Sequence, residues 1–220
     1  MTGDHPAVVD AAAWRASLAA IRADEKALTE MHDRLAARRR AAPWVAVTKA
    51  YAFNGPEGAL ALPDLFAGRR QLIVYHHMLK PQDPDPCSGC AMVGDQIPHL
   101  SHLHARDTTL AFVSRAPIAE IEAFRARMAW DLPWYETTDD FNPDHDVNGG
   151  FGLNVFIREG DAIYRTYFTK GRGMETLGTI WTFLDLTPMG RQEKWEDGAA
   201  WVAKGAPYQW WRLHDEYGTP

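Results

Sequence analysis

Cys87 and Cys90 are the only cysteines in this 220-residue chain, set two residues apart in Pro86-Cys87-Ser88-Gly89-Cys90-Ala91. The apolar run Gln71-Leu72-Ile73-Val74-Tyr75-His76-His77-Met78 precedes them, and a helical pattern follows. A continuous apolar run of this length reads as a strand covered on both faces. A Cys-x-x-Cys held between such a strand and a helix reads first as a redox dithiol. Unpaired N–H groups and the positive dipole end favour a thiolate on the first sulfur. The second sulfur, one turn on, is placed to resolve a mixed disulfide.

The chain supplies enough residues for one domain with additions. At 46% hydrophobic and 24% charged it is globular in composition. A net charge of −6 gives no electrostatic case for nucleic acid. Two cysteines are too few for a disulfide scaffold. Met1-Thr2-Gly3-Asp4-His5-Pro6 shows no basic region followed by an apolar one, and no apolar run reaches membrane length. The expectation is a cytoplasmic protein with no nucleic-acid or membrane partner.

Alanine-rich spacing of Trp14, Leu18, Ile21, Leu28, Met31 and Leu35 predicts one helix from about Asp10 to Arg40, a packing or dimerisation element outside the catalytic domain. Past Pro43, a hairpin turns on Asn54-Gly55-Pro56-Glu57-Gly58, and Leu62–Arg69 makes a short helical turn before the central strand. Ala91–His104 predicts a helix kinked at Pro98, Thr108–Ser114 a strand, and Pro117 opens a helix with Ile118, Ile121, Phe124 and Met128 on one stripe. Residues 129–150 read as a loop beside the active site. Leu153–Arg158 and Ala162–Phe168 form a second hairpin, and Leu177–Leu184 a last helix. The order βαβα followed by ββα is the thioredoxin arrangement. The boundaries predicted are an N-terminal helical extension over 1–42, a thioredoxin-like domain over 43–192 and a Trp-rich extension over 193–220 that packs back on the domain or on a second subunit. The fold class expected is α/β, a three-layer sandwich around a mixed sheet.

The chain resembles the DUF899 family, described as predicted dithiol-disulfide oxidoreductases of thioredoxin-like fold. The matching phrases include Leu65-Phe66-x-Gly68-Arg69-x-Gln71-Leu72-Ile73-Val74-Tyr75-His76, His104-x-Arg106-Asp107-Thr108-Thr109-Leu110 and Ser114-Arg115-Ala116-Pro117. Leu184-Asp185-Leu186-Thr187-Pro188-x-Gly190-Arg191 and His214-Asp215-Glu216-Tyr217 extend them along nearly the whole chain. The resemblance assigns the family's dithiol to Cys87 and Cys90. The chain departs from the family at His77-Met78-Leu79 and in a short loop after Asn142. It departs from thioredoxins in having Gly150-Phe151-Gly152 where they place a cis-proline before the strand facing the disulfide.

The site expected is Cys87 as nucleophile and Cys90 as resolving thiol, acting on a disulfide or peroxide with electrons from a cellular thiol reductant and no cofactor. The peroxide form keeps its place because the Leu-x-Asp-Leu-x-x-Gly-Arg lead-in resembles that of peroxiredoxins. Arg115, Trp134 and His76 are expected to bind substrate or stabilise the thiolate, with Trp130 and Phe141 as further groove walls. The alternative is a metal-binding module of Cys87, Cys90 and His76 or His77. His99 and His102, with Asp95, have ligand spacing on one helix face, although solvated surface histidines are the commoner outcome. A homodimer is one arrangement left open.

Overall fold

The structure, a computed structural model, describes residues 6–197 and 200–217. Its longest element comes first, helix α1 (Ala11–Arg40). The Asp10 carboxylate caps it by accepting the Ala12 and Ala13 N–H groups at 2.9 and 2.8 Å. Arg38, Arg39 and Arg40 lie at the negative end of its dipole. No residue of α1 is buried, so capping and alanine propensity hold this helix more than packing does.

Strand β1 (Val45–Ala46) follows Pro43, then the hairpin β2 (Ala52–Gly55) and β3 (Gly58–Ala61). A 3-10 turn over Leu62–Phe66 ends at Ala67 and Gly68, both with positive φ, and feeds β4 (Gln71–His76). Helix α2 (Ser88–Asp95) and the short α3 (Ser101–His104) replace the single kinked helix predicted over Ala91–His104. Pro98 has no N–H and its ring opposes the preceding turn, so the helix breaks there outright. Strand β5 (Thr108–Ser114) and helix α4 (Ile118–Arg127) come next, where predicted.

Residues 129–150 are not simply a loop. They hold β6 (Trp134–Thr137) and α5 (Phe141–Asp144). The strand pairs with β5 over only Trp134, Tyr135 and Glu136, too short a run to show an alternating pattern. Strands β7 (Gly152–Glu159) and β8 (Ala162–Thr169), a 3-10 segment over Gly171–Leu177 and helix α6 (Thr179–Asp185) complete the order.

All eight strands join one mixed sheet, in the order β1-β8-β7-β4-β5-β6-β2-β3. Strand β4 is parallel to β5 and antiparallel to β7, which pairs antiparallel with β8. That β8-β7-β4-β5 core, with the dithiol helix between β4 and β5, is a thioredoxin-like α/β arrangement. The steps from β4 to β5 and from β5 to β6 advance the same way across the sheet. Right-handed crossovers therefore put α2 and α4 on one face. The return from β6 to β7 carries α5 over the other.

The sheet separates two cores. Tyr75, Cys90, Phe112, Ile121, Phe124 and Trp134 pack in the first, and Phe53, Phe66, Leu72, Val74, Phe141 and Phe156 in the second. Alternation along β4 decides which side each residue joins. Among the described residues no helix is long and apolar enough to cross a membrane.

Candidate active site

Helix α2 begins one residue after Cys87, which makes Cys87 its N-cap, with φ −58° and ψ 110°. The Cys87 sulfur accepts the Cys90 N–H at 3.4 Å, taking the place that a serine or aspartate oxygen fills in other helices. The Cys90 thiol is the largest influence on it, donating toward Cys87, and the Cys90 and Gly89 N–H groups add to the effect. Burial and the Asp83 carboxylate oppose them. The balance lowers the Cys87 thiol from 9.0 to about 6. Cys90 is 1% exposed, and burial, then its partner sulfur, push its thiol well up. The pair is thus asymmetric at neutral pH, with one sulfur ionised and accessible and the other protonated behind it.

Sequence reasoning misses Tyr75. Its phenol lies on the cysteine face and, with the Met78 N–H, favours negative charge on the Cys90 sulfur. Burial holds the phenol in its protonated form. The signal was available, because alternation along β4 puts Tyr75 on the cysteine face and His76 on the opposite one.

The dithiol opens into a cavity of about 380 Å³ walled by Tyr75, Val93, Phe151, Met174, Trp181 and Trp211. Trp211 comes from the C-terminal segment and lies over the middle of the motif. A Cβ on Gly89 would stand 2.7 Å from its ring, so this roof needs the glycine. Glu193 ties the segment down. Its carboxylate, on a residue 1% exposed, accepts the Tyr208 N–H at 2.8 Å and the Trp210 indole at 2.9 Å, with the Trp195 indole as a third donor. Burial alone would raise this carboxyl, but those three donors hold it below the usual range. Leu213 enters the first core, and Arg127 pairs with Asp215 at 2.7 Å. Nothing in the sequence pattern of 195–217 announces this anchoring, since it is built from single contacts without a period.

The other residues expected at the site are elsewhere. His76 is fully buried in the second core, stacked on Phe141. Its Nδ1–H donates to Asn142 Oδ1 at 2.8 Å and its Nε2 accepts from Asn154 Nδ2 at 2.9 Å, which leaves nothing for a substrate. Burial lowers it to about 3. Trp134 is 1% exposed and donates its indole N–H to Ser114 Oγ at 3.1 Å, so it is core and not a groove wall. Phe141 is likewise interior, and Trp130 covers Gly94. Arg115 is exposed and lines a separate groove with Met78, Leu79, Gly149 and Gly150.

The donors do not suit the metal reading. His76 is spent on two asparagines across the sheet. His77 is buried in an aromatic box with Trp134 and Phe124, its Nδ1 accepting the Leu79 N–H at 3.1 Å. Asp95 accepts the Trp130 indole and pairs with His214, and His99 bonds Ser101. Among the described residues no three His, Cys, Asp or Glu side chains converge as a metal site.

Several solved structures are similar to the chain at low identity. A protein described as a thiol:disulfide interchange protein DsbE from Chlorobium tepidum shares 14% identity over 62% of this chain and 93% of its own, with a TM-score of 0.42. Thioredoxin peroxidase I of Plasmodium yoelii shares 13% over 71% of this chain and 97% of its own, with a TM-score of 0.37. Apo Sco1 from Thermus thermophilus shares 13% over 57% and 82%, with a TM-score of 0.30. No curated protein matches the chain. The family model "Bacterial protein of unknown function (DUF899)" matches residues 3–217, and the chain belongs to that family.

Proposed function

We propose that this protein is a thiol–disulfide oxidoreductase in which Cys87 is the nucleophile and Cys90 the resolving thiol. The observation that carries the reading is the N-cap position of Cys87, which sets its sulfur 3.4 Å from the Cys90 N–H and beside the Cys90 thiol. These groups together favour a thiolate on Cys87, while burial keeps Cys90 protonated.

In the first step the Cys87 thiolate attacks one sulfur of a substrate disulfide. A Cys87–substrate disulfide forms, the substrate S–S bond breaks, and the other half leaves as a thiolate. In the second step Cys90 loses its proton to that leaving thiolate and attacks the Cys87 sulfur. The Cys87–Cys90 disulfide forms and the remaining half of the substrate leaves. The Tyr75 phenol, on the same face of the sheet as Cys90, favours negative charge on that sulfur as it develops. A cellular thiol system returns two electrons and two protons to the pair. A dithiol that must be re-reduced in each cycle suits the cytoplasm.

The test is to react reduced protein with 2-hydroxyethyl disulfide and map the products by mass spectrometry. The native protein is expected to close the Cys87–Cys90 bond, and Cys90→Ser to accumulate a mixed disulfide on Cys87. A native pair that stays open with no Cys87 adduct in Cys90→Ser, or an adduct on Cys90 in the native protein, overturns the assignment.

A further inference from the structure

The cavity at the dithiol is more apolar than a general disulfide substrate would need. Val93, Phe151, Met174, Trp181 and Trp211 form most of its wall. A second apolar chamber of about 180 Å³ shares Tyr75, Val93, Met174 and Trp181 with it and continues along Ile97 and Leu153. Among the described residues Arg172 and Glu175 are the charged ones on the wall of the first chamber besides the Cys87 thiolate, and they pair with each other at 3.2 Å. Apart from the nucleophile itself, the wall therefore presents no unpaired charge to a zwitterionic peptide thiol such as glutathione. The roof matters too. Trp211 lies over Gly89, beside the nucleophile, and leaves no flat surface there for a folded protein to bring up a disulfide.

The reacting oxygen of a hydroperoxide carries only hydrogen, so it needs less room beside the Trp211 roof than a disulfide, whose two sulfurs each carry a substituent.

We propose that this cavity binds the apolar group of an organic hydroperoxide and delivers its O–O bond to Cys87. The inference rests on the dithiol reading above and names its substrate class. The Cys87 thiolate attacks the terminal oxygen, an S–O bond forms and the O–O bond breaks. The departing alkoxide takes a proton from solvent and leaves as an alcohol. Cys87 is then a sulfenic acid. Cys90 condenses with it to give the disulfide and one water. Two equivalents of a low-molecular-weight thiol restore the dithiol. A cavity of about 150 Å³ lined by Leu, Ile and Phe takes benzene, so a phenyl-bearing hydroperoxide fits this larger space.

The test uses the reduced full-length chain and measures closure of the Cys87–Cys90 bond by quenched-flow mass spectrometry. Cumene hydroperoxide is expected to react at least tenfold faster than hydrogen peroxide. Val93→Trp, which fills the cavity, is expected to bring that ratio close to one. A second measurement needs no variant: 2-phenyl-2-propanol, the alcohol product, should slow the cumene reaction of the native chain and quench its tryptophan fluorescence. Equal rates for the two peroxides, an unchanged ratio in Val93→Trp with no effect of the alcohol, or faster closure by diphenyl disulfide than by cumene hydroperoxide each overturn the proposal. The last of these leaves the dithiol reading standing. Failure of every peroxide and disulfide to close the bond defeats both.

Discussion

Removing the Cys90 sulfur should raise the pH at which Cys87 becomes reactive. The thiol lies at about 6 against an ordinary 9.0, a difference of three units. That corresponds to about 4 kcal/mol of preference for the thiolate, at ~1.36 kcal/mol per unit. At pH 7 such a thiol is ~90% ionised and an ordinary one ~1%, about a 90-fold difference in thiolate. Thiolate nucleophilicity falls with pKa at a slope of ~0.4–0.5, which removes roughly a factor of 20, so the net rate gain is only about fourfold. Rate at one pH therefore says little, and the midpoint of the pH profile is the quantity to measure. The assay is iodoacetamide alkylation of Cys87 from pH 4 to 10, read by mass spectrometry at that residue. The native midpoint should fall near 6. In Cys90→Ala the largest stabilising donor is gone while burial remains, and the midpoint should rise by at least about one unit. Cys90→Ser keeps a donor and should move less. A native midpoint at 8 or above, or identical profiles for native and Cys90→Ala, refutes the reasoning.

Glu193→Gln should lower stability at pH 7 by about 1–3 kcal/mol, because three donors lose an anionic acceptor. Its folded carboxyl is depressed, so that contribution is present above the unfolded value and is lost as pH falls through the lower folded one; urea melts of both chains at pH 7 and pH 4 show whether the gap narrows. His76 and His77 are both held near 3 by burial, so the unfolded chain binds more protons as pH falls below 6.5. Stability is full above that value and should fall with acid, the slope approaching about 2.7 kcal/mol per pH unit near pH 5 from these two groups; a flat stability profile between pH 7 and 5 contradicts their burial. His76→Ala should destabilise by about 1–3 kcal/mol by leaving Asn142 and Asn154 without their partner, yet leave the Cys87 alkylation midpoint where it was. Gly94→Ala should destabilise despite a better helix propensity, since its Cβ would meet the Trp130 ring at 2.5 Å; the overpacking cost of about 1–3 kcal/mol exceeds a propensity gain of ~1 kcal/mol at most sites, and thermal melts report the sign.

The central fold was legible because its signals are local. The apolar run of β4, the motif after it, the Pro117 helix start and the β7–β8 hairpin each carry their own pattern, and the sheet joins them as the strand order requires. Strand β6 was not legible, since a strand of four residues gives no period and Trp134 and Tyr135 look the same in a loop as in a strand. The cysteines announced themselves by spacing, whereas their surroundings depended on which way β4 faces. Counting alternation back from Tyr75 would have sent His76 across the sheet and drawn Tyr75 into the site. The roof over Gly89 was beyond reach for another reason. Trp211 lies 122 positions from Gly89 in the chain. The contacts that place it, with the buried Glu193 carboxylate, Leu213 and the Arg127–Asp215 pair among its segment's anchors, are ones that nothing in the local sequence marks.

The most direct test of the central claim is to equilibrate the protein in graded dithiothreitol buffers and follow the peptide carrying Cys87 and Cys90 by mass spectrometry. The account expects a reversible two-electron transition between dithiol and intramolecular disulfide, abolished by either Cys87→Ser or Cys90→Ser. A pair that stays reduced across the whole range, or that oxidises only between separate molecules, contradicts it.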